Sequence, residues 1–178
     1  CHSDIAADRV TKDGNLTAVI VLVEDITERK NVENTVKESE NKYRTLFNFS
    51  PNGILIESEN GVIIDVNPAF CKIINYSREE LIGTDVRKLT HPDYRPEVDN
   101  NIKTILKGTP LRHIKKNITK SGAIIYVQLS ENSIELPDGS PGIMCIAEDI
   151  TERKKAEDAL LKSEESYRGL FDSTTDAI

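Results

Sequence analysis

Apolar and polar residues alternate along this chain with two different periods, and the changes of period mark its elements. Over 124–134, Ile125, Val127 and Leu129 alternate with Tyr126, Gln128 and Ser130, the two-residue repeat of a half-buried strand. Shorter apolar runs over 18–23, 54–56, 62–66, 111–119 and 143–149 predict further strands. Glu59-Asn60-Gly61, Lys120-Ser121-Gly122 and Pro137-Asp138-Gly139 supply turns between them. Asn67-Pro68 offers an N-cap followed by proline at the first helical position, and Phe70, Ile73 and Ile74 share one face up to Asn75. Ser77-Arg78-Glu79-Glu80 reads as a capping box for a second short helix, stopped by Gly83. Thr90-His91-Pro92-Asp93 announces a third start. From about residue 96, Val98, Ile102, Ile105 and Leu106 fall at helical spacing until Gly108. Two strands, several short helices and three strands predict an α+β domain with helices gathered against one antiparallel sheet.

A long repeat sets the organisation. Glu24-Asp25-Ile26-Thr27-Glu28-Arg29-Lys30 recurs unchanged as Glu148-Asp149-Ile150-Thr151-Glu152-Arg153-Lys154, an offset of 124 residues. Ser39-Glu40 matches Ser163-Glu164, Tyr43-Arg44 matches Tyr167-Arg168, and Leu46-Phe47 matches Leu170-Phe171 at the same offset. So long a period reads as tandem copies of a whole domain rather than a solenoid. Charged stretches join the copies. Val32, Val36, Ser39, Tyr43 and Leu46, and then Ala156, Leu160, Ser163, Tyr167 and Leu170, step by four and three residues, the a/d seam of a coiled coil. At Asp149 to Glu152, as at Asp25 to Glu28, an acid three residues before a Glu resembles a capping box. A rigid joint from strand to helix is the sharper reading of the same residues.

Composition narrows the functions. The 178 residues are 38% hydrophobic and 30% charged, with a net charge of −7. An acidic chain repels a phosphate backbone, which argues against nucleic-acid binding. No apolar run approaches the roughly 20 residues that span a bilayer, so no membrane contact by this segment is expected. Cys1, Cys71 and Cys145 are odd in number and far apart, and His2, His91 and His113 are scattered. That pattern predicts no metal site and fits a reducing, cytoplasmic compartment. The opening Cys1 points to a fragment of a longer protein. No phosphate loop, nucleophile elbow or kinase signature is present.

Gly61-x-Ile63 to Asn67-Pro68-Ala69-Phe70, Tyr76-Ser77-x-x-Glu80-Leu81-x-Gly83, His91-Pro92-Asp93, Lys120-Ser121-Gly122 and the repeated Asp149-Ile150-Thr151-Glu152-Arg153-Lys154 together resemble a PAS sensor domain with its C-terminal PAC portion. The resemblance implies a PAS fold: a five-stranded antiparallel sheet of order 2-1-5-4-3, short helices over one face, and flanking linker helices. It divides the chain into the last strands of a preceding PAS domain (1–27), a linker helix (28–42), a complete domain (43–151), a second linker helix (152–166) and the start of a following domain (167–178). It implies a non-catalytic sensory and signal-relay module of a multidomain signalling protein such as a two-component sensor histidine kinase. The alternatives are a ligand-free spacer and dimerisation domain, or the input domain of a cyclic-dinucleotide enzyme or transcription regulator. Expected partners are a second copy, paired through the linker helices, neighbouring PAS or kinase domains of the same chain, and a small molecule.

Ligand chemistry is partly excluded. The region 79–89 lacks the reactive cysteine of a flavin photoreceptor motif, and 96–107 lacks the axial histidine of a haem member; the cofactor is therefore unknown. Alternation nominates a pocket wall of Ile54, Ile56, Phe70, Ile73, Ile74, Val98, Ile102, Ile105, Ile125, Val127, Leu129, Met144 and Ile146, suited to a small apolar or amphipathic metabolite, with no convergent polar group. His113, beside Ile114 among Arg112, Lys115 and Lys116, is expected to face solvent. Relay is assigned to Asp149, Ile150, Thr151, Glu152 and Arg153, and to Asp25, Ile26 and Thr27.

Overall fold

A computed structural model describes the backbone of residues 3–12 and 15–175, and side-chain surroundings for 4–6, 25–166 and 168. The chain divides into two units, residues 1–46 and 47–178. The first holds the antiparallel pair β1 (Ser3–Lys12) and β2 (Asn15–Asp25) and most of helix α1 (Thr27–Phe49).

The second unit begins with β3 (Gly53–Ser58) and β4 (Ile63–Val66), joined through Gly61 at φ 79, a backbone state that glycine adopts without strain. Helix α2 (Pro68–Ile74) follows, capped by Asn67 and ended by Asn75 in the left-handed region. In α3 (Arg78–Leu81) the Ser77 side chain accepts from the Glu80 amide while Glu80 accepts from the Ser77 amide, the reciprocal capping box that the sequence predicts. Helix α4 (Val86–Leu89), a 3-10 turn over Pro92–Tyr94 and α5 (Arg95–Leu106) complete the helical layer. Then come β5 (Leu111–Ile118), β6 (Ile124–Glu135), β7 (Pro141–Asp149) and helix α6 (Thr151–Thr175).

The five strands pair in the order β4-β3-β7-β6-β5, all antiparallel. Numbered within the domain, this is 2-1-5-4-3. Helices α2 to α5 cover one face, and Leu55, Phe70, Ile74, Leu81, Ile105, Val127, Ile143 and Cys145 sit in one buried cluster between the layers. Close approach is built in at Gly53, where an added Cβ would lie 2.9 Å from the Phe70 ring.

The repeat extends further than sequence identity does. Ser3 pairs with Asp25, Asp4 with Glu24 and Val10 with Ala18 in β1–β2. At the same offset, Val127 pairs with Asp149, Gln128 with Glu148 and Ile134 with Gly142 in β6–β7. Strand β1 carries no alternation that predicted it, and neither does α4. Both helices expected as linkers outrun their expected ends, α1 to Phe49 and α6 to Thr175. The expected following domain would begin inside α6, and its last residues, 176–178, lie outside the described residues.

Candidate functional site

Register decides which residues face the helices. Residues opposite one another in an antiparallel pair point to the same face. Leu55 lies opposite Cys145, which also lies opposite Glu131, while Glu57 lies opposite Ile143. On the neighbouring pair, His113 is opposite Leu129, Lys115 opposite Val127 and Asn117 opposite Ile125. All of these share the inner face.

Nine nominated wall residues join the buried cluster: Phe70, Ile74, Val98, Ile102, Ile105, Ile125, Val127 and Leu129, with Ile73 partly buried against it. The other four are corrected. Ile54, Ile56, Met144 and Ile146 alternate with the inward residues of β3 and β7 and lie on the opposite sheet face; Ile146 is 37% exposed. Both strands are apolar on both faces, so alternation alone could not orient them. Their inward positions are Leu55 and Glu57, and Ile143, Cys145 and Ala147.

The inward set is polar where the sequence suggested nothing. Glu57 and Glu131 are 4% and 7% exposed, and Asn117 is 5%. His113 turns inward too, half-buried, while Ile114 is 40% exposed, the reverse of the expected solvent-facing histidine. Two small cavities open among these groups, each with about 20 Å³ of space for the centre of a water-sized group. Glu57, Val86, Lys115 and Glu131 line both. One cavity adds Asn101, Ile105 and His113; the other adds Leu55, Phe70, Leu89, Thr90, Asn117 and Cys145. About 10–15 Å³ suffices for one water, so each holds a group of one or two heavy atoms.

Polar satisfaction is incomplete. Both ring nitrogens of His113, Oδ1 of Asn117 and Oε2 of Glu131 are buried without a hydrogen-bond partner among the described residues. His113 Nδ1 lies 3.7 Å from Glu131 Oε2, too long for a hydrogen bond. Burial drives the Glu57 carboxyl up to about 8; Glu131 adds to the rise, while Lys115 and Arg87 oppose it. Burial also lowers the His113 imidazole, against the pull of Glu131. The Cys145 thiol is buried in the core and pushed well above its usual range, chiefly by that burial. No group of three or more His, Cys, Asp or Glu able to hold a metal ion occurs among the described residues.

The second feature is the joint between β7 and α6. The Thr151 amide and hydroxyl both donate to Asp149 Oδ1, at 2.9 and 2.5 Å. Thr151 Oγ1 accepts from the Tyr126 amide at 3.0 Å, and the Ile150 amide donates to the Tyr126 carbonyl at 2.9 Å. Lys154 donates to the Ile150 carbonyl, the first helical bond of α6. Asp149 thus stands one residue before the N-cap, and Glu152 accepts from Lys155 instead of reaching back. The expected capping box is replaced by a turn that pins the helix to β6. Arg153 Nη2 donates to Gln128 Oε1 on the same strand, at 3.4 Å. The first copy repeats the turn: Thr27 donates to Asp25 Oδ1 at 2.9 Å, and Lys30 to the Ile26 carbonyl at 3.0 Å.

Asn67 forms a third. Fully buried, its Oδ1 accepts from the Ile54 and Phe70 amides, and its Nδ2 donates to the carbonyls of Phe47 and Asn52. It links the last turn of α1 to β3 and α2.

Comparison with known proteins agrees with this architecture. A family profile described as the PAS fold matches residues 41–150. This chain belongs to the PAS fold family. Sporulation kinase E of Bacillus subtilis is 29% identical over 163 residues, covering 89% of this chain and 21% of that protein. The methyl sulfide methyltransferase-associated sensor of Methanosarcina acetivorans is 32% identical over 68% of this chain and 12% of its own length. The chain therefore spans about a fifth or less of these curated relatives. A domain of a sensory box sensor histidine kinase/response regulator from Geobacter sulfurreducens superposes with a TM-score of 0.56 at 34% identity, over 64% of this chain and 96% of that one. The PAS sheet order matches the expectation drawn from the motifs.

Proposed function

We propose that residues 43–151 form a non-catalytic sensory and signal-relay PAS module of a multidomain signalling protein, a two-component sensor histidine kinase. One observation carries the reading. Strand β6 brings Leu129 and Glu131 to the pocket, and the same strand, through Tyr126, holds the first turn of α6. A shift of β6 against the helices therefore moves the output helix without passing through a loop. Such a relay needs two states of similar energy, with the signal favouring one.

In this reading residues 1–27 are the final strands of a preceding PAS domain, supported by the shared register of β1–β2 and β6–β7. Residues 28–42 and 152–166 are linker helices, and 167–178 open a following domain. Self-association runs through those helices: Val32, Val36 and Leu46 on α1 are 60%, 61% and 65% exposed, and Leu160 on α6 is 63%. A second copy would cover them at coiled-coil spacing. No helix among the described residues is long and apolar enough to cross a membrane, and a cytoplasmic site of action is proposed.

The deciding experiment places Asp149→Ala in the full-length parent and measures its kinase output with and without stimulus, alongside the amide NMR spectrum of this segment. Loss of the stimulus-dependent change with an intact spectrum supports relay. Unchanged signalling rejects the joint. The small cavities favour a second reading, a ligand-free spacer and dimerisation domain. That reading predicts dimers whose output ignores substitutions on the inner sheet face.

A further inference from the structure

We infer that the pocket between the helices and the sheet takes a small hydrogen-bond-donating cation, an ammonium ion carrying a short alkyl group, held between Glu57 and Glu131. The inference rests on the sensory reading above and names the chemical class of the signal.

The pocket is rich in acceptors. Glu131 Oε2 and Asn117 Oδ1 are buried and unpartnered, on side chains more than nine-tenths buried. A neutral His113 presents one further acceptor nitrogen, also unpartnered. Left unsatisfied, each buried group destabilises the fold, because its lost hydration is not replaced. A nitrogen with several N–H donors answers Glu131 together with whichever of His113 and Asn117 lines its cavity, and a neutral apolar ligand answers none.

Charge points the same way. The groups facing Glu57 are Glu131 on β6, Lys115 and His113 on β5, the Cys145 thiol on β7, and the Arg87–Asp85 pair on and before α4, itself bonded at 3.0 Å. Burial keeps Glu57 protonated at neutral pH. Glu131 and Lys115 line the same two cavities as Glu57. When an ammonium group enters, Glu57 releases its proton, and the new carboxylate faces the new cation. Binding is an exchange of one proton on Glu57 for one organic cation, with no net charge added to the site.

Shape sets the size. The two cavities share Glu57, Val86, Lys115 and Glu131 and differ in their outer walls. With the nitrogen in the cavity that His113 lines, beside the shared carboxylates, the cavity on the Leu55, Phe70 and Leu89 side takes one or two methyl-sized groups. Larger amines would have to push α4 and α5 away from the sheet, the motion that a relay through β6 would report.

The test titrates the chain with ethylammonium chloride and follows the amide signals of Glu57, Lys115 and Glu131 by NMR. Sodium chloride controls for ionic strength, ethanol for shape without charge, and tetramethylammonium for charge without N–H donors. The expected result is a saturable change with ethylammonium, at least about tenfold weaker binding of ethanol and tetramethylammonium, and no such change with sodium chloride. Apparent affinity should rise about tenfold between pH 6 and pH 7, because the competing proton on Glu57 is withdrawn. Glu57→Gln should abolish that pH dependence and weaken binding. The inference is overturned if ethylammonium gives no saturable change, if sodium chloride reproduces it, or if ethanol binds equally well. The wild-type titrations decide even where a variant fails to fold. Failure here, with Asp149→Ala still uncoupling the parent, removes the amine and leaves the relay. Amine binding with unchanged signalling in Asp149→Ala removes the relay joint and leaves the site.

Discussion

Asn67→Ala removes four hydrogen bonds from a side chain with no solvent exposure. The Ile54 and Phe70 amides lose an acceptor 2.8 and 2.9 Å away, and the Phe47 and Asn52 carbonyls lose a donor at 3.0 and 2.9 Å. The Phe70 bond is the N-cap of α2, and losing such a cap costs about 1 kcal/mol. The remaining three bonds cost about 1 kcal/mol each, with less where water can reach the part-buried Ile54 amide and Asn52 carbonyl. The expected loss is about 3–4 kcal/mol, a large part of the roughly 5–15 kcal/mol that holds a domain folded. There is no Trp, so urea unfolding is followed by far-UV circular dichroism. Native-state exchange at the Ile54 amide gives a local readout. Asn67→Asp separates geometry from charge. It keeps an acceptor for both amides but turns a second oxygen toward the two carbonyls, so it should be less stable at neutral pH than in mild acid, where protonation restores one donor. A loss below about 1 kcal/mol for Asn67→Ala, with exchange at Ile54 unchanged, would refute the claim that Asn67 ties α1, β3 and α2 together.

Other consequences can be checked on the same chain. Between the unfolded Glu57 value of 4.5 and the folded value of about 8, the fold holds a proton that the unfolded chain has released. Stability should therefore fall as pH rises through that window, by at most about 1.4 kcal/mol per pH unit, and level off above it. The lowered His113 works with the opposite sign just below its ordinary value of 6.5, so the Glu57 slope is best read from pH 7 to 8 as the difference between wild type and Glu57→Gln; identical slopes would contradict it. Gly142→Ala places a Cβ 2.9 Å from the Glu57 carbonyl oxygen and 2.8 Å from Leu136 Cγ, and should cost about 1–3 kcal/mol in urea unfolding. Val36→Glu puts a charge into the exposed α1 seam; if that seam pairs two copies, as proposed, sedimentation should show weaker self-association with no loss of helix, and an unchanged association constant would reject pairing through it.

Much of the fold could be read from local chemistry, because its signals act within a few residues. Asn67-Pro68, Ser77 to Glu80 and Gly108 place helix ends through backbone groups one turn away. The alternation along β6 succeeded because only one of its faces is apolar. It failed on β3 and β7, where Ile54, Leu55 and Ile56, and then Ile143 to Ala147, are apolar on both faces. His113 was misplaced for a related reason: its neighbours in sequence are cationic, but the groups it meets, Glu57 and Glu131, come from two other strands.

The sequence by itself determined the α+β class, the 124-residue repeat and most element boundaries, because propensity, capping and the repeated motif are carried by neighbouring residues. Only the tertiary structure decided that Glu57 and Glu131 share one buried pocket with Asn117 and His113, and that Thr151 is bonded to Tyr126. Apart from Thr151, the first residue of α6, those residues lie on three strands, β3, β5 and β6, and their meeting depends on pairing register. A one-residue shift of a strand in that register would turn its pocket side chains to the other face of the sheet.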